Sequence, residues 1–92
     1  MRLLVTPTFE RVVKKLHRLQ KAALDEAVRA IAQNPELGEL KVGDLAEVRV
    51  FKFRMDSLQC LLAYRVLDAD TLKLLMVGPH ENFYRDLKRT EH

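Results

Sequence analysis

The sequence predicts an α+β domain over residues 1–92. An N-terminal strand and a helical hairpin pack on a small, mainly antiparallel four-stranded sheet, and a short C-terminal helix closes it. Three observations carry this expectation. Apolar residues recur at helical spacing between Phe9 and Ile31, then switch to period two after Glu47. A last apolar run ends at Gly78-Pro79, ahead of a short tail crowded with cations. Ninety-two residues hold one core, and 48% apolar residues with three Gly and three Pro belong to a compact chain rather than a disordered one.

Each element has its own signal. "RLLVT" reads as a first strand, closed by Pro7, with Thr8 as the cap of a helix carrying Phe9, Val12, Val13 and Leu16 on one stripe. The stripe weakens over "HRLQK" and resumes at Leu24, Ala27, Val28 and Ile31 until Asn34-Pro35. Two helices packed as a hairpin fit this pattern, and one bent helix would give much the same spacing. "NPELGELKVGDL" reads as a loop because it carries half of the chain's Gly and Pro. In "AEVRVFKFRM", Arg49, Phe51 and Phe53 fall on one side and Val50, Lys52 and Arg54 on the other. "LQCLLAYRVL" has fewer polar breaks and suits the middle of a sheet. "DAD" turns the chain and "TLKLLMVG" returns it, so that three antiparallel strands form a meander with the first strand at an edge. A short helix follows, with Pro79 in its first turn.

Composition also sets limits. A single cysteine, Cys60, excludes an internal disulfide framework and suits a reducing compartment. No segment approaches the roughly 18–20 apolar residues of a membrane helix, and the apolar run in "MRLLVTPTFERVVKK" is too short for a signal peptide, so a cytoplasmic protein is expected. Sixteen Lys and Arg against 13 Asp and Glu make the chain mildly basic, with cations gathered at 11–21, 49–54 and 85–89. Such patches are most often solvated faces, and they also suit a phosphate backbone or an acidic partner segment.

The order of these elements, and above all "VRVFKFR" followed by "LLAYRVLD" and "VGPHENFY", resembles the RelE/ParE superfamily of bacterial type II toxins over nearly the whole chain. The resemblance implies one of two activities. RelE-side members are endoribonucleases that cut mRNA, on the ribosome or free, and so inhibit translation. ParE-side members poison DNA gyrase without catalysis. Both imply a cognate antitoxin as partner, and the apolar stripe of the hairpin flanked by Arg11, Lys14 and Lys15 suits an amphipathic partner segment. In the ribonuclease branch an arginine is implied where Leu61 stands, and His80 replaces a tail arginine, with Tyr84 close behind it. A small scaffold or DNA-binding module ranks last, because nothing resembles a recognition helix.

Cutting RNA by its own 2′-hydroxyl needs a base, an acid and cations that meet charge on the phosphorus oxygens. His80, Tyr84, Lys52 and Arg54 are the candidate catalytic set. On a helix, His80 and Tyr84 would stack on one face, with Lys88 continuing the line. Lys52 and Arg54, two apart on a strand, would point the same way. His80 is otherwise a helix cap, Tyr84 a half-buried core aromatic, and the two cations snorkelling stems at a sheet edge. Lys41, Arg49 and Lys88 are further RNA or phosphate candidates, although Arg49, beside Phe51 and Phe53, also reads as structural or as an antitoxin contact. The three histidines, His17, His80 and His92, are scattered and match no metal spacing, so neither metal nor cofactor is expected.

Overall fold

A computed structural model describes residues 1–90. Their order is β1 (Arg2–Val5), α1 (Pro7–Lys14), α2 (Arg18–Gln33), β2 (Glu39–Leu40), β3 (Val48–Met55), β4 (Leu58–Asp68), β5 (Thr71–Pro79) and α3 (Phe83–Thr90). Short 3-10 turns at Pro35–Leu37 and Gly43–Leu45 flank β2. The sheet runs β1-β5-β4-β3-β2, with β1 parallel to β5 and every other pairing antiparallel. The α+β class, the meander and the edge position of β1 match the sequence reading, and β4 lies at the centre. The sheet has a fifth strand, however. Glu39 and Leu40 pair with Val50 and Arg49, so part of the expected loop is a sheet edge.

Local chemistry explains the helix boundaries. Thr6, not Thr8, caps α1: its hydroxyl oxygen accepts from the Phe9 N–H at 3.0 Å while the hydroxyl donates to the Leu75 carbonyl at 2.6 Å. Pro7 then occupies the first turn, where its missing N–H costs nothing. The hairpin consists of two helices, because His17 caps α2. Its Nδ1 accepts from the Gln20 N–H, and the Gln20 side chain accepts from the His17 N–H, a reciprocal pair that starts a helix without Gly or Pro.

The sheet separates two cores. On one face α1 and α2 lay Phe9, Leu24, Ala27 and Ile31 on Leu62, Tyr64, Leu72 and Leu74. On the other, Phe83 and Leu87 of α3 pack with Leu45 on Val48, Val50, Leu61, Ala63 and Leu75. Fully buried Tyr64 belongs to the first core and reaches the loop beyond α2. Its hydroxyl donates to the Pro35 carbonyl at 2.6 Å and accepts from the Gly38 N–H at 2.9 Å. Gly38 is required there, since a Cβ would stand 2.6 Å from the phenol oxygen.

Candidate functional site

The α3 face is apolar at one end of β3 and polar at the other. Val48 and Val50 lie buried beneath α3, and then Lys52 and Arg54 emerge exposed on the same side. The cations therefore lie beyond the roof that α3 provides. Cross-strand register fixes their row. Lys52 stands beside Leu61, and Leu61 beside Gly78, two residues before His80. Two strand spacings of about 4.8 Å separate the ends of that row. The position opens upward, since a Cβ at Gly78 would meet nothing within 4 Å.

The tail differs from its expected form. Pro79 still pairs with Cys60 in the β4–β5 ladder, and α3 starts only at Phe83. His80 therefore precedes the helix, in a turn where Asn82 takes φ 60° and the His80 carbonyl accepts from the Phe83 N–H at 3.1 Å. Backbone, not imidazole, makes that bond. The two rings still meet, 5.8 Å between centroids and edge-on at 77°. Phe83 meets Tyr84 similarly, at 5.5 Å and 88°, and anchors it to the core. His80 is exposed and Tyr84 half-buried, so the pair is a solvent-facing histidine on a partly fixed phenol.

The loop beyond α2 adds two charges. Tyr64 and Arg49 hold it from the hairpin face, the Arg49 guanidinium donating to the Gly38 carbonyl at 2.8 Å. The Lys41 N–H donates to the Val48 carbonyl at 2.8 Å. Glu39 and Lys41, two apart, thereby reach the α3 side, where Glu39 sits opposite Val50. Their side chains pair at 3.0 Å, and the Lys41 ammonium stands 5.3 Å from the centre of the Tyr84 ring. Such a cation over an aromatic face stabilises by roughly 0.5–2 kcal/mol, according to its exposure. The hydrogen bond and charge of Lys41 hold the Glu39 carboxyl below the usual carboxylate range, with Lys52 adding to the effect. Glu39 in turn holds the Lys41 amine above its ordinary value against partial burial, and Tyr84 assists. Both groups are ionised at neutral pH.

The structure thus brings His80, Tyr84 and Lys41 into one chain of contacts, with Lys52 close to Glu39. Arg54 lies one step further along β3 and donates to the Ser57 carbonyl at 3.2 Å. Lys88 is drawn toward Asp44, 3.8 Å away. Arg49 is not brought to this group. Its strand position turns it to the hairpin face, opposite Tyr64, where loop carbonyls take its donors. His92 lies outside the described residues. Glu39 was missed, because a two-residue strand has no periodicity; its only signal is the Glu-Leu-Lys alternation inside an apparent loop. Leu61 is fully buried under α3 and packs that helix down.

A family model described as ParE-like toxin of type II bacterial toxin–antitoxin system matches residues 3–88. Similar solved structures include the intact E. coli RelBE toxin–antitoxin complex, with a TM-score of 0.70 at 18% identity over 87% of this chain and 96% of that one. A free-state E. coli RelE toxin with two arginines changed to alanine has a TM-score of 0.73 at 15% identity, over 98% and 92%. The isolated E. coli RelE toxin has a TM-score of 0.67 at 18% identity, over 96% of each chain. Comparison with curated protein sequences yields no match. At these identities the likeness is one of fold: three helices on a five-stranded mixed sheet.

Proposed function

The chain belongs to the ParE-like toxins of type II bacterial toxin–antitoxin systems, and from that premise we propose that it is an endoribonuclease, cutting mRNA free or on the ribosome and so inhibiting translation. One observation carries the reading: the exposed His80 ring meets Tyr84 just beyond Gly78, where the sheet row that begins at Lys52 ends. A ribose 2′-hydroxyl attacks the adjacent phosphorus, forming the O2′–P bond as the P–O5′ bond breaks. One proton leaves O2′ and one reaches O5′, giving a 2′,3′-cyclic phosphate and a 5′-hydroxyl. His80 supplies or removes one of these protons as general acid or base. Tyr84 orients it or shares the transfer. Lys52 and Arg54 meet the charge that grows on the phosphorane oxygens. The reaction needs no metal ion.

The neighbouring structure solved as a toxin–antitoxin complex supports a cognate antitoxin as partner. It would bind mainly over the hairpin stripe and exposed sheet. Among the described residues no helix is long and apolar enough to cross a membrane, in keeping with action on cytoplasmic mRNA.

His80→Ala and Tyr84→Phe test the reading, with mapped mRNA ends, growth arrest and melting temperature measured together. His80→Ala should lose about 10²–10⁴-fold in cleavage with an unchanged melting temperature, because a proton-transfer group contributes that much and this one is exposed. A fully active variant would remove the assignment. A second reading, inhibition of DNA gyrase without catalysis, is favoured by Leu61, an apolar residue packed under α3 where the ribonuclease branch has an arginine. Intact mRNA with an induced DNA-damage response would select it.

A further inference from the structure

We infer that Glu39 and Lys41 are positioning residues, which together hold the Tyr84 ring against His80, and that Lys41 acts through that ring rather than on phosphate. The inference rests on the endoribonuclease reading, and it concerns residues that lie 43 or more positions from Tyr84 in sequence.

Tyr84 is held from three sides. Phe83 meets it edge-on at 5.5 Å, His80 at 5.8 Å, and the Lys41 ammonium at 5.3 Å. Phe83 is core, and His80 is the exposed partner to be oriented. Lys41 is thus a charged restraint from outside the tail, added to the packing of Tyr84 on the core beneath α3. Its own placement is fixed rather than adaptable. The backbone is tied to Val48, the preceding glycine is clamped by Tyr64 and Arg49, and the side chain is only 23% exposed. Glu39 completes the arrangement by taking the ammonium at 3.0 Å.

The same contacts argue against a phosphate role for Lys41. An ammonium already neutralised by a carboxylate and turned toward a ring attracts phosphate weakly, and binding there would bring the phosphate against the Glu39 carboxylate. Lys52 differs in exposure and in pairing, although its charge also reaches Glu39. It is exposed, and it has no carboxylate at ion-pair distance among the described residues.

The chain has only two tyrosines, and Tyr64, buried on the other face, is an internal reference for ring resonances of tyrosine-labelled protein. Lys41→Met keeps the stem and removes the charge. It should move the Tyr84 ring resonances but not those of Tyr64. It should also lower single-turnover cleavage of an RNA oligonucleotide about five- to tenfold, the effect of losing one cation–ring contact. KM and the salt dependence of RNA affinity should stay unchanged. Lys41→Arg should return both the resonances and most of the rate, and Glu39→Gln should move the resonances in the same direction by less. Unmoved Tyr84 resonances in Lys41→Met would overturn the inference. So would a raised KM and a salt slope flattened by about 0.7 with turnover intact, which is the signature of a lost phosphate contact. If the wild-type protein cuts no RNA, the endoribonuclease reading falls, and the resonances alone decide whether Glu39 and Lys41 hold the ring.

Discussion

The two faces of the sheet share their strands and are covered very differently. One carries two helices, of eight and sixteen residues, with a capped corner between them. The other carries a single helix of eight residues. Eight helical residues rise about 12 Å, whereas five strands at about 4.8 Å spacing spread over about 19 Å. One short helix cannot roof that width. The uncovered strand ends must face water, and there the residues are Lys52, Arg54 and Gln59 rather than valines. The hairpin face is thus the broader core, with Val12, Val13, Phe51 and Phe53 partly exposed at its edges, while the α3 face is a small core with an open polar margin, along which the candidate site lies.

The strongest way to break this comparison is to attack the roof. Leu61→Arg puts a cation among the apolar side chains packed beneath α3. An uncompensated buried charge costs about 3–5 kcal/mol. The expected outcome is a large fall in melting temperature with loss of amide protection confined to α3, and no gain in cleavage. An unchanged melting temperature would show that α3 is not a fixed cover.

Next comes the link between the faces, the loop of residues 34–41. Tyr64→Phe removes the hydroxyl that bonds Pro35 and Gly38, and it should cost about 1–3 kcal/mol by leaving buried backbone groups unpaired. Denaturant unfolding gives the magnitude, and faster amide exchange over 36–41 locates it. Exchange confined to the hairpin helices would show that the loop is held by other means.

The same phenol adds a pH dependence. Burial pushes the Tyr64 hydroxyl above its ordinary value of 10.0, partly offset by the Gly38 N–H and the Arg49 charge. The folded state therefore resists the phenolate that the unfolded chain forms freely. That stabilisation is fully present below about pH 10 and is lost as pH rises through the folded value. Melting temperature should fall more steeply above that pH in the wild type than in Tyr64→Phe. Parallel profiles would contradict this.

The smallest effects on stability belong to the open margin. Lys52→Ala and Arg54→Ala should each change stability by less than about 0.5 kcal/mol, as exposed residues do. Each should also flatten the salt dependence of RNA affinity by about 0.7. Unchanged slopes in both would remove these cations from the phosphate path.

Much of this architecture was legible in local pattern. Strand β3 announces itself because side chains alternate strictly across a sheet, and that alternation separates Arg49 from Lys52 and Arg54 without any tertiary knowledge. The first helix boundary failed by two residues: Thr6 and Thr8 flank Pro7, and Thr6 is the cap, its hydroxyl accepting from the Phe9 N–H and donating to the Leu75 carbonyl on a distant strand. The capping pair of His17 and Gln20 was present in the sequence, but histidine is an uncommon cap and so carried little signal.

What the sequence determined by itself is therefore whatever depends on neighbours within a few residues: the periods of the helices and strands, the face each residue takes, and the closeness of His80 to Tyr84. Tertiary structure alone decided which part of each face is roofed, that Pro79 stays in the ladder instead of opening a helix, and that Leu61 lies beneath α3. It alone brought Glu39 and Lys41 to Tyr84, across more than forty residues of chain. The physical reason is range. Backbone geometry repeats every two or 3.6 residues and leaves its mark in the sequence. The meeting of two short segments is set instead by helix length, sheet register and one clamped loop, and a two-residue strand is too short to leave a period at all.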